Sequence, residues 1–308
     1  MNRQYSIGNH LFQVTGETLL GAIDRIEGFK YFISETPSAE GNAASSPAPL
    51  PQFIFSEGEE HRLPSFSKED YSFQYEEVTG TFGMSRDGYL LRLAPENEQP
   101  LWLWTKGAIQ PGVGKVYLYG NYSLPLLRFA LWVGYGILTA REDTVAVHSS
   151  CIVYREKAVL FLGESGTGKS THTRLWRENI PGCELLNDDS PVVRCEQGQI
   201  RVYGSPWSGK TPCYKAASYP LAGCVRLSQA PRNSIRRLDT LQAYAALHPS
   251  FPPEFAYDEC LYDGVSALLS TMLRSVPVYH LECLPNRAAA ELACHTLYGN
   301  GDGDETTF

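Results

Sequence analysis

The segment AVLFL (158–162) followed by GESGTGKS (163–170) gives the clearest indication of the fold class. Five apolar residues, rich in side chains that favour sheets, predict a buried strand. The run STHTRLWREN (170–179) after the glycines predicts a helix, and the eight residues between match the phosphate-loop pattern G-x-x-x-x-G-K-[ST]. A strand, a glycine-rich turn and a helix in this order indicate an α/β core that binds a nucleotide.

Each residue type in this loop suits a phosphate group. Glycines let successive backbone N–H groups turn towards an anion, and the helix that follows adds its positive N-terminal end. Lys169 is predicted to reach the outer phosphates. The Ser170 hydroxyl is predicted to hold Mg²⁺, so ATP and Mg²⁺ are the expected cofactors.

A second segment, GSPWSGKT (204–211), matches the same pattern. It contains Pro206, is followed at once by Pro212, and leads into residues with no helical stripe. Context therefore favours the first copy as the nucleotide loop. For the second copy, an ordinary surface loop and a supporting part of the active site both remain open.

Two adjacent carboxylates follow the apolar run ELLN (184–187), nineteen positions after Lys169. Asp188 and Asp189 at the end of a strand beside a phosphate loop suit a metal site, since Mg²⁺ takes oxygen ligands. Neighbouring residues point in different directions, so one can bind the metal while the other accepts a proton from an attacking hydroxyl. The competing interpretation of Asp-Asp-Ser-Pro is a solvated turn.

His148 lies in the predicted strand TVAVHSSCIVY (144–154), just ahead of the phosphate-loop strand. If the two strands are neighbours, its ring can reach the Asp pair and orient the base. A structural histidine is the alternative. Five basic residues are candidates to clamp phosphate oxygens, although each on its own suits a solvated surface: Lys210, Arg226, Arg232, Arg236 and Arg237.

Composition narrows the classes of function. A formal charge of −8, from 26 basic and 34 acidic residues, disfavours nucleic-acid binding. Eight cysteines without Cys-x-x-Cys spacing, and an N-terminus without a secretory signal, predict a cytoplasmic protein with free thiols. The apolar stretch 124–140 is short for a membrane span and contains Arg128, so it predicts a core helix and no membrane partner.

The predicted organisation has three parts. Residues 1–119 form a smaller β-rich N-terminal region with a mobile loop at 36–51, where large apolar side chains are nearly absent. Residues 120–298 form the ATP-binding core, and 299–308 form a flexible tail. Further elements are predicted as strands at 183–187, 191–195, 200–203, 222–227 and 278–282, and as helices at 261–273 and 287–298.

The run VAVHSSCIVYREKAVLFLGESGTGKST followed by ELLNDDSPVV resembles the HPr kinase/phosphorylase family, whose core is related in fold to ATP-dependent phosphoenolpyruvate carboxykinase. The specific part is the short spacing between loop and Asp pair. The resemblance covers about residues 120–295 and implies a kinase that transfers the γ-phosphoryl group of ATP to a serine-type hydroxyl.

The resemblance also implies roles for single residues. Asp188 would act as base, assisted by His148, while Ser170 and Asp189 would hold Mg²⁺; the two aspartates could exchange roles. The GSPWSGK loop resembles a feature of HPr-kinase-like proteins that include lasso-peptide kinases, which would put Lys210 at the mouth of the site. The implied nucleotide-binding residues are Gly163, Ser165, Gly166, Thr167, Gly168, Lys169, Ser170, Thr171 and Lys210.

The first hypothesis is therefore an ATP- and Mg²⁺-dependent kinase acting on a hydroxyl of a protein, peptide or small molecule. The alternatives are a non-catalytic ATP-binding regulatory or assembly module and a carboxykinase-like enzyme acting on a small acid. The sequence leaves the acceptor, phosphorolysis and homo-oligomer formation open. The glycine-rich segment that supports phosphorolysis in bifunctional members of the family is not found after the Asp pair.

Overall fold

The structure is a computed structural model of the 308-residue chain, and it describes residues 1–34, 50–75, 77–106 and 113–299. The predicted mobile loop lies outside the described residues except for its last two, and so does the predicted tail after its first residue. The described residues form a mixed α/β structure with two sheets.

The chain divides into two compact units. Unit 1 comprises Met1–Thr144 with Pro253–Val265, and unit 2 comprises Val145–Pro252 with Ser266–Phe308. This division differs from the predicted boundary at 119/120, and the N-terminal unit is not the smaller partner that the sequence suggested. The difference arises because helix 124–139 belongs to unit 1, where it packs on a sheet strand, 101–106.

Unit 1 is rich in β-structure. Its elements in the described residues are β1 (Asn2–Ile7), β2 (His10–Thr15), α1 (Glu17–Ile23), β3 (Phe53–Glu57), β4 (Lys68–Tyr75), β5 (Val78–Ser85), β6 (Gly88–Pro95), β7 (Leu101–Lys106), β8 (Gly114–Gly120) and α2 (Leu124–Thr139), with short 3-10 turns at Glu27–Phe32, Glu60–Arg62, Ala140–Glu142 and Pro253–Tyr257. The strands form one sheet in the order β1-β2-β3-β8-β7-β6-β5-β4.

Helix α2 begins as the sequence predicts. Ser123 is the N-cap residue and Pro125 occupies the first turn, where its missing N–H is harmless. The helix buries an apolar face that includes Leu127 and Leu131. The apolar run is thus a core helix, and no helix in the described ranges is long and apolar enough to span a membrane.

Unit 2 contains the predicted phosphate loop. Its elements are β9 (Thr144–Ala146), β10 (Ser149–Tyr154), β11 (Lys157–Leu162), α3 (Lys169–Asn179), β12 (Glu184–Asp189), β13 (Val192–Glu196), β14 (Gln199–Tyr203), β15 (Ser218–Gln229), β16 (Ser234–Arg237), α4 (Thr240–Leu247), a 3-10 turn at His248–Ser250, α5 (Glu259–Ser275), β17 (Val278–Cys283) and α6 (Arg287–Tyr298). Strand β9 and helix α5 cross the division between the units.

In the described residues the second sheet has nine strands. Seven of them follow the order β12-β10-β11-β15-β14-β13-β9, and the other two join through β17, which pairs with both β15 and β16. Strand β15 is 12 residues long and pairs with different strands along its length. Its first residues pair with β14, and its later residues run parallel to β11 and β17. This arrangement sets β12, β10, β11, β15 and β17 side by side.

Packing fixes helix α3 against this part of the sheet. Trp176 is fully buried and Leu175 nearly so, in a core with Ile152, Phe161 and Val225. Burying an aromatic side chain of this size is worth several kcal/mol, on the order of 3–5 relative to alanine. The core therefore holds the start of α3 in one position above the end of β11.

Candidate functional site

The predicted phosphate loop joins β11 to α3, as expected from the sequence. Gly163, Gly166 and Gly168 have positive φ values of 152°, 84° and 104°, which only glycine adopts readily. The Thr167 amide and hydroxyl both donate to the Glu164 carbonyl, at 3.2 and 2.8 Å, and close the turn. The amide N–H groups of Gly166, Gly168 and Lys169 donate to no residue in the described ranges, which leaves them available to an anion.

The Lys169 ammonium group contacts the phosphate loop and His148. Its Nζ donates to the Gly163 and Glu164 carbonyls at 2.7 and 3.1 Å and lies 3.0 Å from His148 Nε2. Burial lowers the pKa of Lys169, the nearby Arg226 charge lowers it further, and the two aspartates act in the opposite direction. The lysine is thus folded back onto the loop and held next to the carboxylates.

His148 connects the phosphate loop to the Asp pair. Its Nδ1 lies 3.4 Å from Asp189 Oδ1, while its Nε2 faces Lys169. A protonated lysine can only donate, so Nε2 accepts and a neutral ring carries its proton on Nδ1, facing the carboxylate. His148 therefore contacts Lys169 through one ring nitrogen and Asp189 through the other.

The backbone at His148 corrects one prediction. The sequence predicts one strand over 144–154, but β9 ends at Ala146 and β10 begins at Ser149. The His148 amide donates to the Ser250 carbonyl at 2.7 Å instead of joining the sheet ladder. Because His148 lies between the two strands, strand alternation does not set the direction of its side chain, and the ring contacts both Lys169 and Asp189.

The two carboxylates have different surroundings. The Asp188 side chain accepts hydrogen bonds at both oxygens, from Ser150 Oγ at 2.5 Å and from the Thr211 amide at 3.1 Å, and the residue is only 3% exposed. The Asp189 side chain is 31% exposed and faces His148. Pairing of β10 with β12 creates this difference, because it sets Ser150 opposite Asp188 and Ser149 opposite Asp189.

The second glycine-rich segment supports the Asp pair and does not form a phosphate loop, since no helix follows it. The Asn187 amide donates to the Ser205 and Trp207 carbonyls at 3.3 and 3.2 Å, and Ser205 Oγ donates to the Ser190 carbonyl at 2.6 Å. The Gly209 amide donates to the Asp188 carbonyl at 2.9 Å. This loop therefore holds the end of β12 in place.

The other predicted site residues lie in three settings. Ser165 is exposed at the tip of the phosphate loop, and Ser170 and Thr171 are half-buried in the first turn of α3. Lys210 is exposed at the end of the second loop, and its role stays a prediction. Among the candidate clamps, Arg226 pairs with Glu164 in the phosphate loop at 3.4 Å.

The remaining three candidate arginines, Arg232, Arg236 and Arg237, are exposed. Arg236 donates to Gln242 at 2.8 Å. Sequence reasoning did not find Ser150, Asn187 or Thr211, which the structure brings to the carboxylates. Each of them lies in a segment that the sequence singles out: Ser150 is two residues after His148, Asn187 directly precedes the Asp pair, and Thr211 ends the second glycine-rich segment.

The donor set suits Mg²⁺. Ser170 offers a hydroxyl and the Asp pair offers carboxylates, all hard oxygen donors. The described residues contain no cluster of three or more His, Cys, Asp or Glu side chains placed to hold a metal. Mg²⁺ bound with nucleotide needs only one or two carboxylates, because phosphates and waters complete its shell.

Comparisons with known proteins show a distant similarity to solved structures. No protein-family model matches this sequence, and no curated protein matches it. Among solved structures, the HPr(Ser) kinase/phosphatase from Coxiella burnetii aligns over 49% of this chain and 92% of its own, with 13% identity and a TM-score of 0.28. Values this low leave the chemistry to rest on the residues of this chain.

Proposed function

We propose that unit 2 is an ATP- and Mg²⁺-dependent kinase core that transfers the γ-phosphoryl group of ATP to a hydroxyl of a protein, peptide or small molecule. In this proposal it corresponds to the catalytic core of the HPr kinase/phosphorylase family that its motifs resemble. The observation that carries the proposal is the contact line from Lys169 through His148 to Asp189. A module that only binds ATP has no need of an accessible carboxylate oriented by a histidine beside its phosphate loop.

Phosphate binding falls to the loop and to Lys169. The unpaired amides at Gly166, Gly168 and Lys169, together with the N-terminal end of α3, suit the β-phosphate. Lys169 exchanges its contacts with the Gly163 and Glu164 carbonyls for phosphate oxygens when ATP enters. That exchange replaces hydrogen bonds to neutral acceptors with charge-assisted ones, which are about twice as strong.

Ser170 and Asp188 would hold the metal. Each Asp188 oxygen accepts one protein hydrogen bond and keeps one lone pair for an ion. The ion would neutralise charge on the phosphates. This assignment exchanges the roles that the resemblance implies for the two aspartates, because two protein hydrogen bonds hold the Asp188 side chain in place, whereas the Asp189 side chain is the more exposed of the two.

Asp189 is then the proton acceptor. The acceptor oxygen attacks the γ-phosphorus, its proton passes to Asp189, and the bond from the γ-phosphorus to the bridging oxygen breaks to release ADP. His148 orients Asp189 through its Nδ1–H. Removing that N–H takes away one of the contacts that orient the carboxylate towards the attacking hydroxyl.

The test is transfer of label from γ-labelled ATP to fractionated lysate in the presence of Mg²⁺. We expect a labelled product with the wild type and none with Lys169→Ala, which also loses ATP binding. Asp189→Asn should keep Mg²⁺-dependent ATP binding and lose transfer, while Asp188→Asn should lose the Mg²⁺ dependence of binding. Lys157→Ala, an exposed lysine at the start of β11, is the control and should behave as wild type.

Two outcomes contradict the proposal. ATP binding without any labelled product in any fraction would assign the chain to the class of ATP-binding regulatory modules. Transfer retained by Lys169→Ala and by both asparagine variants would exclude this site altogether.

A further inference from the structure

Basic side chains from three neighbouring strands of unit 2 lie side by side and play no part in the chemistry described above. In the register of the sheet, Arg226 of β15 lies beside His280 of β17, and His280 lies opposite Arg236 of β16. Residues in register share a face of the sheet, and neighbouring strands are about 4.8 Å apart. These three residues are called the basic row.

The basic row points away from helix α3. Val225 and Leu281 belong to the apolar core that packs against this helix. Successive side chains of a strand point to opposite faces of the sheet. Arg226 follows Val225 and His280 precedes Leu281, so the basic row lies on the other face.

The proposed proton acceptor shares this face. Ser150 lies opposite Phe161, which packs in the core beneath α3, and it also lies opposite Asp188. Asp188 therefore points to the α3 side of the sheet. Asp189 is the next residue of β12 and points to the same side as the basic row.

The basic row begins at the phosphate loop. Arg226 donates to the Glu164 carboxylate at 3.4 Å, and the Glu164 carbonyl accepts from Lys169. The row lies close to the carboxyl ends of β11, β15 and β17, which run parallel. Ligands of open α/β sheets bind outside the carboxyl ends of the strands.

The protein itself balances the charge of the row only weakly. Arg226 meets the side chain of Glu164, which is 81% exposed, and Arg236 donates to the neutral amide of Gln242. An exposed ion pair contributes at most about 1 kcal/mol, and like charges on neighbouring strands destabilise a sheet. A carboxylate bound along the row would offset that repulsion.

His280 offers a hydrogen-bond donor between the two arginines. Its Nε2 lies 2.8 Å from Ser228 Oγ, and no residue in the part of the chain that the structure describes hydrogen-bonds to its Nδ1. Burial lowers the pKa of His280; the Glu282 charge opposes this shift, and the charges of Arg236 and Arg226 add to it. A neutral ring that accepts from Ser228 carries its proton on Nδ1, where it can donate to a carboxylate.

We propose that the basic row binds carboxylates of the acceptor, so that the hydroxyl phosphorylated by unit 2 belongs to an acidic segment of a peptide or protein. This inference rests on the proposed function and extends it by naming the class of acceptor. The row spans two strand spacings, about 10 Å, and Arg236 at its far end is exposed. Small acids are held in enclosed pockets, whereas an extended segment can place one carboxylate at each guanidinium, which binds it through two parallel N–H groups.

The first test measures transfer from γ-labelled ATP to synthetic peptides that contain a single serine. One set carries glutamates two to six residues from the serine, and the matched set carries glutamines at the same positions. Wild type should phosphorylate the best glutamate peptide with a kcat/KM about tenfold above that of its glutamine match. Arg236→Gln should lose most of this preference through KM and keep kcat, because it removes binding and not chemistry.

Reversal of one charge separates recognition from a loss of fold. Arg236→Glu should change the preferred peptide from glutamate to lysine at the same position. The control is Arg237→Glu, which changes the net charge equally on the same strand. Arg237 lies opposite Tyr279 and points to the other face of the sheet, so this variant should keep the preference for glutamate.

A competition experiment distinguishes a peptide from a small acid. Fluorescence anisotropy follows the binding of a labelled glutamate peptide in the presence of ADP and Mg²⁺. Free glutarate, which carries the same carboxylate chemistry, should not displace the peptide at a hundredfold excess. Displacement by equal concentrations of glutarate would assign the row to a small acid and overturn the peptide assignment.

The outcomes separate this inference from the proposed function. Equal kcat/KM for glutamate and glutamine peptides, or equal loss of preference in Arg236→Glu and Arg237→Glu, would overturn the acidic acceptor and leave the kinase proposal standing. Labelling of a lysate fraction without labelling of any peptide would have the same meaning. Failure of the wild type to bind ATP would overturn the proposed function and this inference with it.

Discussion

The buried His172 makes the stability of this protein depend on pH. Burial lowers its pKa from 6.5 to about 4, because a charged imidazole would lose its hydration among Phe161 and Trp176. The unfolded chain therefore binds a proton between pH 6.5 and 4 that the folded chain does not bind. Stability from this group is fully present above pH 6.5 and is lost as the pH falls towards 4.

The magnitude follows from the two pKa values. Linkage gives a loss of about 1 kcal/mol between pH 7.5 and 5.5, and about 2–3 kcal/mol between pH 7.5 and 4.5. The free energy of unfolding is measured by urea titration in metal-free buffer at these three values of pH, for wild type and for His172→Asn. Other titrating groups contribute to both proteins, so the difference between the two pH profiles isolates His172.

The variant should be less stable than the wild type at pH 7.5, because it loses the acceptor for Trp176, and its disadvantage should shrink as the pH falls. Parallel profiles for the two proteins would refute the reasoning. They would mean that His172 is hydrated in the folded state or that its proton remains bound there.

Three further substitutions test other parts of the structure. Gly168→Ala should lower the free energy of unfolding by about 1–2 kcal/mol and weaken ATP binding, because φ is 104° at this position although the space around the new methyl is open. The control is Gly21→Ala, in an ordinary helix, which should not lower the melting temperature. Equal melting shifts in the two variants would contradict this. Ser205→Ala should cost about 1–3 kcal/mol in urea unfolding, because the buried Asn187 amide loses an acceptor and the Ser190 carbonyl a donor; an unchanged midpoint would contradict it. Tyr89→Phe should cost about 1–2 kcal/mol through its lost bond to Asp258 in unit 1, while ATP affinity measured by calorimetry stays unchanged; a change in affinity would contradict the assignment of nucleotide binding to unit 2.

The sequence alone predicted the local framework of unit 2. The predicted strand 158–162 and helix 170–179 agree within one residue with β11 and α3, and the helix over 287–298 agrees with α6. These elements depend on apolar runs, periodicity and glycines that act within a few residues of one another. The rejection of the second glycine-rich segment as a phosphate loop was confirmed for the same reason, since its prolines prevent a helix from following.

Other features needed the tertiary structure. The interruption of the strand at His148 depends on the Ser250 carbonyl, which is about a hundred residues away in the chain. Helix α2 joined unit 1 because its apolar face packs there, and the sequence of the helix alone does not specify its partner. Each of these outcomes is decided by contacts between segments that are distant in sequence.

The different surroundings of the two aspartates also could not be predicted from the sequence. The sequence determined that two carboxylates end a strand near a phosphate loop, but the two residues are chemically identical there. The register of β12 against β10 gave Asp188 the bonds from Ser150 and Thr211 and left Asp189 accessible beside His148. Sequence fixes which groups are present, whereas pairing and burial between distant strands decide which of them meets solvent, substrate or metal.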